Sequence, residues 1–252
     1  MMESPGPGAA WTGATPFDRE TFRQFVAMRV GTGAPVFWYG IGEVSTYPEG
    51  RRVLLIEGCD TARLICPAES PDEAWQLSRK YYVFRDPETN AVIKEYNGKP
   101  APPIAYPYQY LTFRLEGGRV LTSVEQGAGA ALVRIGPLDN FILRRLGPDL
   151  VVSTPLFLNR ETPRGKYEAY ENYDFFLRAA EQEPRRRYQM AWNRFADQPA
   201  FLGPGRAMLQ MIGWRVDRFD DLPSTIRDCI VQDAPMWKEP PKDLDEIRAL
   251  QK

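Results

Sequence analysis

A mainly β fold is predicted by three features of the chain: period-two alternation of apolar and polar residues, turn-forming glycines and prolines between those runs, and gaps too short for crossover helices. The expected architecture is an antiparallel meander that forms a barrel or strongly curled sheet, with an N-terminal helix and short C-terminal helices. About ten strands would leave two edges to protect, and curling or closure does that.

Residues 1–14 are small and rich in Pro and Gly and read as a disordered leader; 15–252 read as a single β-barrel-like domain. Thr15-Pro16-Phe17-Asp18 supplies an N-cap, an N1 proline and an acidic first turn. Phe22, Phe25, Val26 and Arg29 then follow at helical spacing, which predicts a helix over 16–29 ended by Gly31 and Gly33. Alternation then predicts strands over 36–46, over 52–66 (one strand, or two broken at Gly58), over 75–84 and over 91–96. The segment 86–90 is a compact turn between the last two. Strands over 108–116 and 119–126 flank Gly117-Gly118, the strongest hairpin signal, because both glycines accept positive φ. The proline-rich stretch 102–110 is either a rigid loop packed over a barrel end or a polyproline docking ligand. Strands over 150–158, 168–178, 187–196 and 206–217 complete the set. The aromatics Tyr167, Tyr170, Tyr173 and Phe176 also recur at helical spacing, but their β propensity favours a strand. Two helices close the chain, one after Leu222-Pro223-Ser224 and one over 244–250.

Composition removes several function classes. With 32 basic and 33 acidic residues the chain has no electrostatic footprint for nucleic acid. No apolar run reaches the ~18–20 residues of a membrane helix, and nothing resembles a signal peptide, so the expected location is the cytoplasm. Cys59, Cys66 and Cys229 are odd in number and lack metal-ligand spacing, so they read as buried free thiols. The chain has no histidine, which excludes Ser-His and Cys-His nucleophiles and weakens any zinc site. No glycine-rich loop joins a strand to a helix, so no metal and no nucleotide cofactor is expected.

Several short words in order along the chain resemble an uncharacterised bacterial and fungal family, the domain of unknown function numbered eighteen thirty-eight. They are Trp38-Tyr39-Gly40 with Gly42, Glu57-Gly58 before Ala62-Arg63, Leu77-Ser78-Arg79 leading to Asp86-Pro87-Glu88-Thr89, and Gly213 before Asp220-Asp221-Leu222-Pro223. One departure is Asn97-Gly98-Lys99-Pro100, where the family has an Asn-Pro-Tyr-Thr-Gly-like segment. The resemblance implies a β-rich domain and carries over no catalytic residue.

Chemistry must then rest on tyrosines, carboxylates and arginines placed by alternation. Arg79 shares a strand face with Trp75, Leu77, Tyr81 and Val83, where a core would be expected. A guanidinium keeps its charge there, so it either joins a structural ion pair or anchors a ligand anion. Glu57, on the face of Val53, Leu55 and Cys59, is either its partner (or that of Arg63) or a general base. A second face carries Tyr188, Met190, Trp192 and Arg194, with Arg194 at a barrel mouth or at a ligand; Tyr39 and Glu43 share a third. The expected catalytic set is Arg79, Tyr81 and Glu57, and the expected substrate-binding set is Tyr39, Trp75, Trp192 and Arg194. The expected function is cofactor-independent isomerase, cyclase or lyase chemistry on an aromatic or polycyclic molecule, of the kind found in secondary metabolism. The alternative is a non-catalytic binding protein for a hydrophobic metabolite. The expected partner is that small hydrophobic or aromatic ligand, with no nucleic acid and no membrane; a homo-oligomer is left open.

Overall fold

The alternating runs pair into one eleven-stranded antiparallel sheet in a computed structural model, which describes residues 14–67, 70–128, 131–162, 165–179 and 183–251. The expected leader lies outside the described residues apart from Ala14. The N-terminal arm contains β1 (Val36–Tyr47), β2 (Arg52–Ile65), β3 (Glu73–Arg85), β6 (Ile104–Glu116), β7 (Arg119–Ala128) and β8 (Ala131–Leu138). β4 (Glu95–Tyr96) and β5 (Lys99–Pro100) form a separate small hairpin. The other arm is built from β9 (Ile142–Leu146), β10 (Asp149–Thr162), β11 (Gly165–Leu177), β12 (Tyr188–Asp197) and β13 (Arg206–Val216). The spatial order is β8-β7-β6-β3-β2-β1-β13-β12-β11-β10-β9, so the first and last strands of the sheet meet at its centre. Their register runs from Phe37 opposite Val216 to Tyr47 opposite Arg206.

The sheet curls into a half-barrel around α1 (Arg19–Val30). Asp18 caps this helix by accepting from the Thr21 N–H at 2.7 Å, which places the start three residues beyond the proline expected there. Phe25 packs edge-on against Phe113, Phe141 and Phe175, tying both arms to one side chain. The Thr15 N–H donates to the Leu143 carbonyl at 2.9 Å and the Phe17 N–H to the Gly118 carbonyl at 2.8 Å. This short strap joins the β9 edge to the β6–β7 turn, satisfying edge groups of one arm while holding the other.

The outer face of β1–β3 is covered by α3 (Ser224–Asp233), a 3-10 turn at Pro235–Lys238 and α4 (Leu244–Leu250). Phe37, Tyr39, Cys59, Tyr81 and Val83 form a second core there with Ile226 and Ile230. The central strands are therefore buried on both sides, and β3 is buried almost without interruption. A fourth helix, α2 (Pro184–Arg187), occupies the arginine run where the expected strand over 187–196 was to begin. Among the described residues no helix is long and apolar enough to cross a membrane.

Cross-strand pairing lines up Gly213, Gly40 and Gly58, three glycines from the words that carry the family resemblance. A Cβ on Gly58 would lie 2.2 Å from the Tyr82 ring, so the missing side chain is the space that ring fills. Gly117 and Gly118 have φ of 57° and 78° and form the tip of the β6–β7 hairpin as expected.

Four expectations change. The 86–90 turn forms, but the strand expected over 91–96 leaves its partner after a single bridge between Arg85 and Val92. Most of the proline-rich stretch 102–110 is the start of β6, with Pro107 at a bulge where no ladder donor is needed. β8 and β9 are additions, since no strand was expected between 126 and 150. All three cysteines are free, yet only Cys59 is buried; Cys66 is exposed and Cys229 intermediate.

Candidate functional site

Alternation sends consecutive residues of β3 to opposite faces, and this divides the expected site in two. Arg79, Tyr81, Glu57, Tyr39 and Trp75 all lie on the outer face, and none of them lines the inner cavity. Trp192 and Arg194 lie on the inner face and do line it.

On the outer side Glu57 is fully engaged. Its carboxylate accepts from Arg85 Nε at 2.6 Å, from the Tyr39 hydroxyl at 2.8 Å and from the Thr225 hydroxyl at 2.5 Å. The same Arg85 donates to the carbonyls of Asn90 and Thr225, both at 2.9 Å. Burial and the neighbouring Glu57 charge push the Tyr39 phenol up. The partner expected for Glu57 was Arg79 or Arg63, and the structure corrects this to Arg85, which lies diagonally across the β2–β3 ladder.

Arg79 is 3% exposed and closes a different joint. Its Nε donates to the Pro107 carbonyl at 2.9 Å, filling the β6 bulge. Nη1 donates to the Glu239 carbonyl at 2.6 Å, and Nη2 pairs with Glu246 of α4. Of the two readings open for this residue, the structural ion pair fits this geometry. Tyr81 packs on Trp237, and burial pushes its phenol up to about 12. The Trp237 indole N–H donates to the Lys80 and Tyr106 carbonyls, which seats the 3-10 turn on β3 and β6. Trp75 meets Tyr110 edge-on, and Tyr39 packs on Trp214.

The inner face holds a cavity of about 320 Å³ between the two arms of the sheet. One wall is a shelf of parallel rings. Tyr173 stacks on Trp192 at 5.3 Å and 6°, and on Phe175 at 6.0 Å and 5°. The facing wall is apolar, with Leu111 of β6, Val124 of β7 and Val133 and Ile135 of β8.

Charged groups are set into this lining. Lys80 is 7% exposed and donates to the Tyr173 hydroxyl at 3.1 Å. Its Nζ also lies 3.7 Å from the Asp60 carboxylate, directly opposite on β2, and within 5.8 Å of the Tyr82, Tyr173 and Trp192 rings. Burial works against the ammonium, but Asp60 and Tyr173 outweigh it and hold the charge. Burial pushes the Tyr173 phenol up to about 12, against the opposing pull of Lys80, so it stays protonated at neutral pH. Farther along β12, Arg194 donates to Glu171 at 3.1 Å and to the Tyr167 hydroxyl at 2.7 Å. Three buried polar atoms on the lining have no partner among the described residues: Trp192 Nε1, Thr122 Oγ1 and Asn140 Oδ1. Among the described residues no cluster of carboxylates and thiolates has the geometry of a metal site.

Arg29, Lys80, Asp60, Tyr173 and Glu171 were missed as site residues by reading the sequence. A signal existed: Asp60 and Lys80 interrupt the rows Leu54, Ile56, Gly58, Ala62 and Ala74, Gln76, Ser78, Tyr82, Phe84. Because both faces of these strands are buried, alternation alone could not say which face looked inward. Comparison with family models, with curated proteins and with solved structures found no match.

Proposed function

We propose that the protein binds a small hydrophobic or aromatic molecule in the inner cavity. One observation carries this reading: a cavity of about 320 Å³ is walled by the Trp192–Tyr173–Phe175 shelf on one side and by apolar side chains on the other, with Lys80 and Arg194 set into its lining. Mostly apolar concavities with a few convergent polar groups are the usual form of ligand sites. Aromatic side chains give a hydrophobic or aromatic guest a large apolar contact area.

Cofactor-independent isomerase, cyclase or lyase chemistry is the second reading. Its support is the Lys80–Tyr173 pair in the cavity wall, a protonated phenol hydrogen-bonded to an ammonium. Such a pair can give a proton, or a hydrogen bond, to negative charge developing on a substrate oxygen. Arg79, Tyr81 and Glu57 give it no support, because they lie on the outer face, where Arg79 and Glu57 bond to the C-terminal segment and to Arg85 and Tyr81 packs on Trp237.

The test is a titration with a neutral, environment-sensitive dye. One equivalent should bind per chain, and Val124→Trp, which fills the cavity, should abolish binding while the fold persists. Absence of binding, or equal binding by Val124→Trp, would overturn the reading. Mass spectrometry of the recovered ligand separates binding from turnover.

A further inference from the structure

The charges facing the cavity do not balance. Three cations look into it, Arg29, Lys80 and Arg194. Lys80 is held by Asp60 behind it at 3.7 Å, and Arg194 by Glu171 at 3.1 Å. That leaves Arg29. Its guanidinium has no hydrogen bond and no ion pair among the described residues, although the residue is only 9% exposed. It lies over the face of Phe175, 4.8 Å from the ring centroid.

This position is unusual in energetic terms. Burial weakens the protonated form of Arg29, and the field of Asp60 offsets it only in part. A guanidinium nonetheless keeps its proton at ordinary pH. Its N–H donors have no protein partner among the described residues, and none of its nitrogens is among the buried unpaired atoms, so the fork is open to whatever fills the cavity. The C-terminal dipole of α1 relieves a little of the cost of burial, since Arg29 sits in the last turn.

The surroundings define what would complete it. Arg29 stands at the Phe175 end of the aromatic shelf, and the Glu171–Arg194 pair at the other end. Phe175 and Glu171 are four residues apart on β11, so the shelf is about 13 Å long. A planar fork of donors matches a carboxylate best, in a bidentate arrangement.

Resting on the ligand-binding reading above, we propose that the cavity takes an aromatic monocarboxylate, its ring on the Phe175–Tyr173–Trp192 shelf and its carboxylate on Arg29. The ligand brings the negative charge that the lining lacks.

A matched pair of probes tests this, 2-naphthoate and its neutral isostere 2-naphthamide, titrated by fluorescence or calorimetry. The wild-type chain should bind the carboxylate at least about 10-fold more tightly than the amide. Arg29→Met should bring the two within 2- to 3-fold of each other by weakening the carboxylate alone. Arg29→Lys, which keeps the charge and removes the fork, should retain only part of the preference and serves as the test if Arg29→Met does not fold. Equal binding of the two probes by the wild type, or an intact carboxylate preference in either Arg29 variant, overturns the anion assignment and leaves the cavity reading standing. Failure of both probes to bind the wild type overturns both.

Discussion

Arg79 and Lys80 are neighbours in β3, both buried, and they serve opposite faces of one sheet. Arg79 reaches outward to Pro107, Glu239 and Glu246 and holds the C-terminal segment in place. Lys80 reaches inward to Asp60 and Tyr173 in the cavity wall. A single peptide step therefore separates a structural clasp from the candidate site, and substitutions at the two positions should behave differently.

Arg79→Met should lower stability by about 2–3 kcal/mol, since it removes a buried cation that serves three acceptors, while Glu246 remains one-third exposed and can be resolvated. Dye binding in the cavity should be unchanged. Urea denaturation with parallel titration of the dye checks both halves; a loss of binding at full stability would return Arg79 to a ligand role.

Glu57→Leu should be worse, at about 3–5 kcal/mol, because it leaves Arg85 buried without its carboxylate and removes the acceptor of Tyr39 and Thr225. The double variant Glu57→Leu with Arg85→Met should recover much of that loss. Thermal melts of the two singles and the double form the cycle, and strict additivity would show that the pair is not coupled.

Tyr173 gives a pH dependence whose sign is fixed. Its phenol is pushed up to about 12 in the folded chain, mainly by burial, against about 10 unfolded. The unfolded chain therefore loses this proton first. The stability from this group is complete below about pH 10 and is lost as the pH rises towards 12. Tyr173→Phe should flatten the alkaline fall by roughly 2 kcal/mol over that window, read from urea midpoints between pH 8 and 12. Tyr81, also near 12, should contribute a similar slope that survives this substitution.

Gly58→Ala should destabilise by about 1–3 kcal/mol, since the new methyl would fall 2.2 Å from the Tyr82 ring and 2.4 Å from the Tyr81 carbonyl. Pairing it with Tyr82→Leu should relieve part of the clash. Melting temperatures of both variants decide it; a neutral Gly58→Ala would mean that the sheet can open at this row without cost.

Local rules reached the elements whose causes are local. The period-two runs, the Gly117-Gly118 tip, and the C-terminal helix over Leu244–Leu250 depend on backbone preference and near neighbours, and all were legible in the chain. β8 and β9 were not, because it is pairing with β7 and β10 that makes strands of them. The sequence by itself also showed that Arg79 and Glu57 are charges in apolar rows, which is why both stood out. The direction in which each row points was settled only by the tertiary structure. A strand buried on one face announces its inward side, but β2 and β3 are sandwiched between α1 and the C-terminal helices, so both alternating rows are apolar. Arg29 shows the same limit from a helix: its spacing marked it as core-facing, yet that it has no counter-charge follows only from where two distant arms of the sheet place Asp60, Glu171 and their partners.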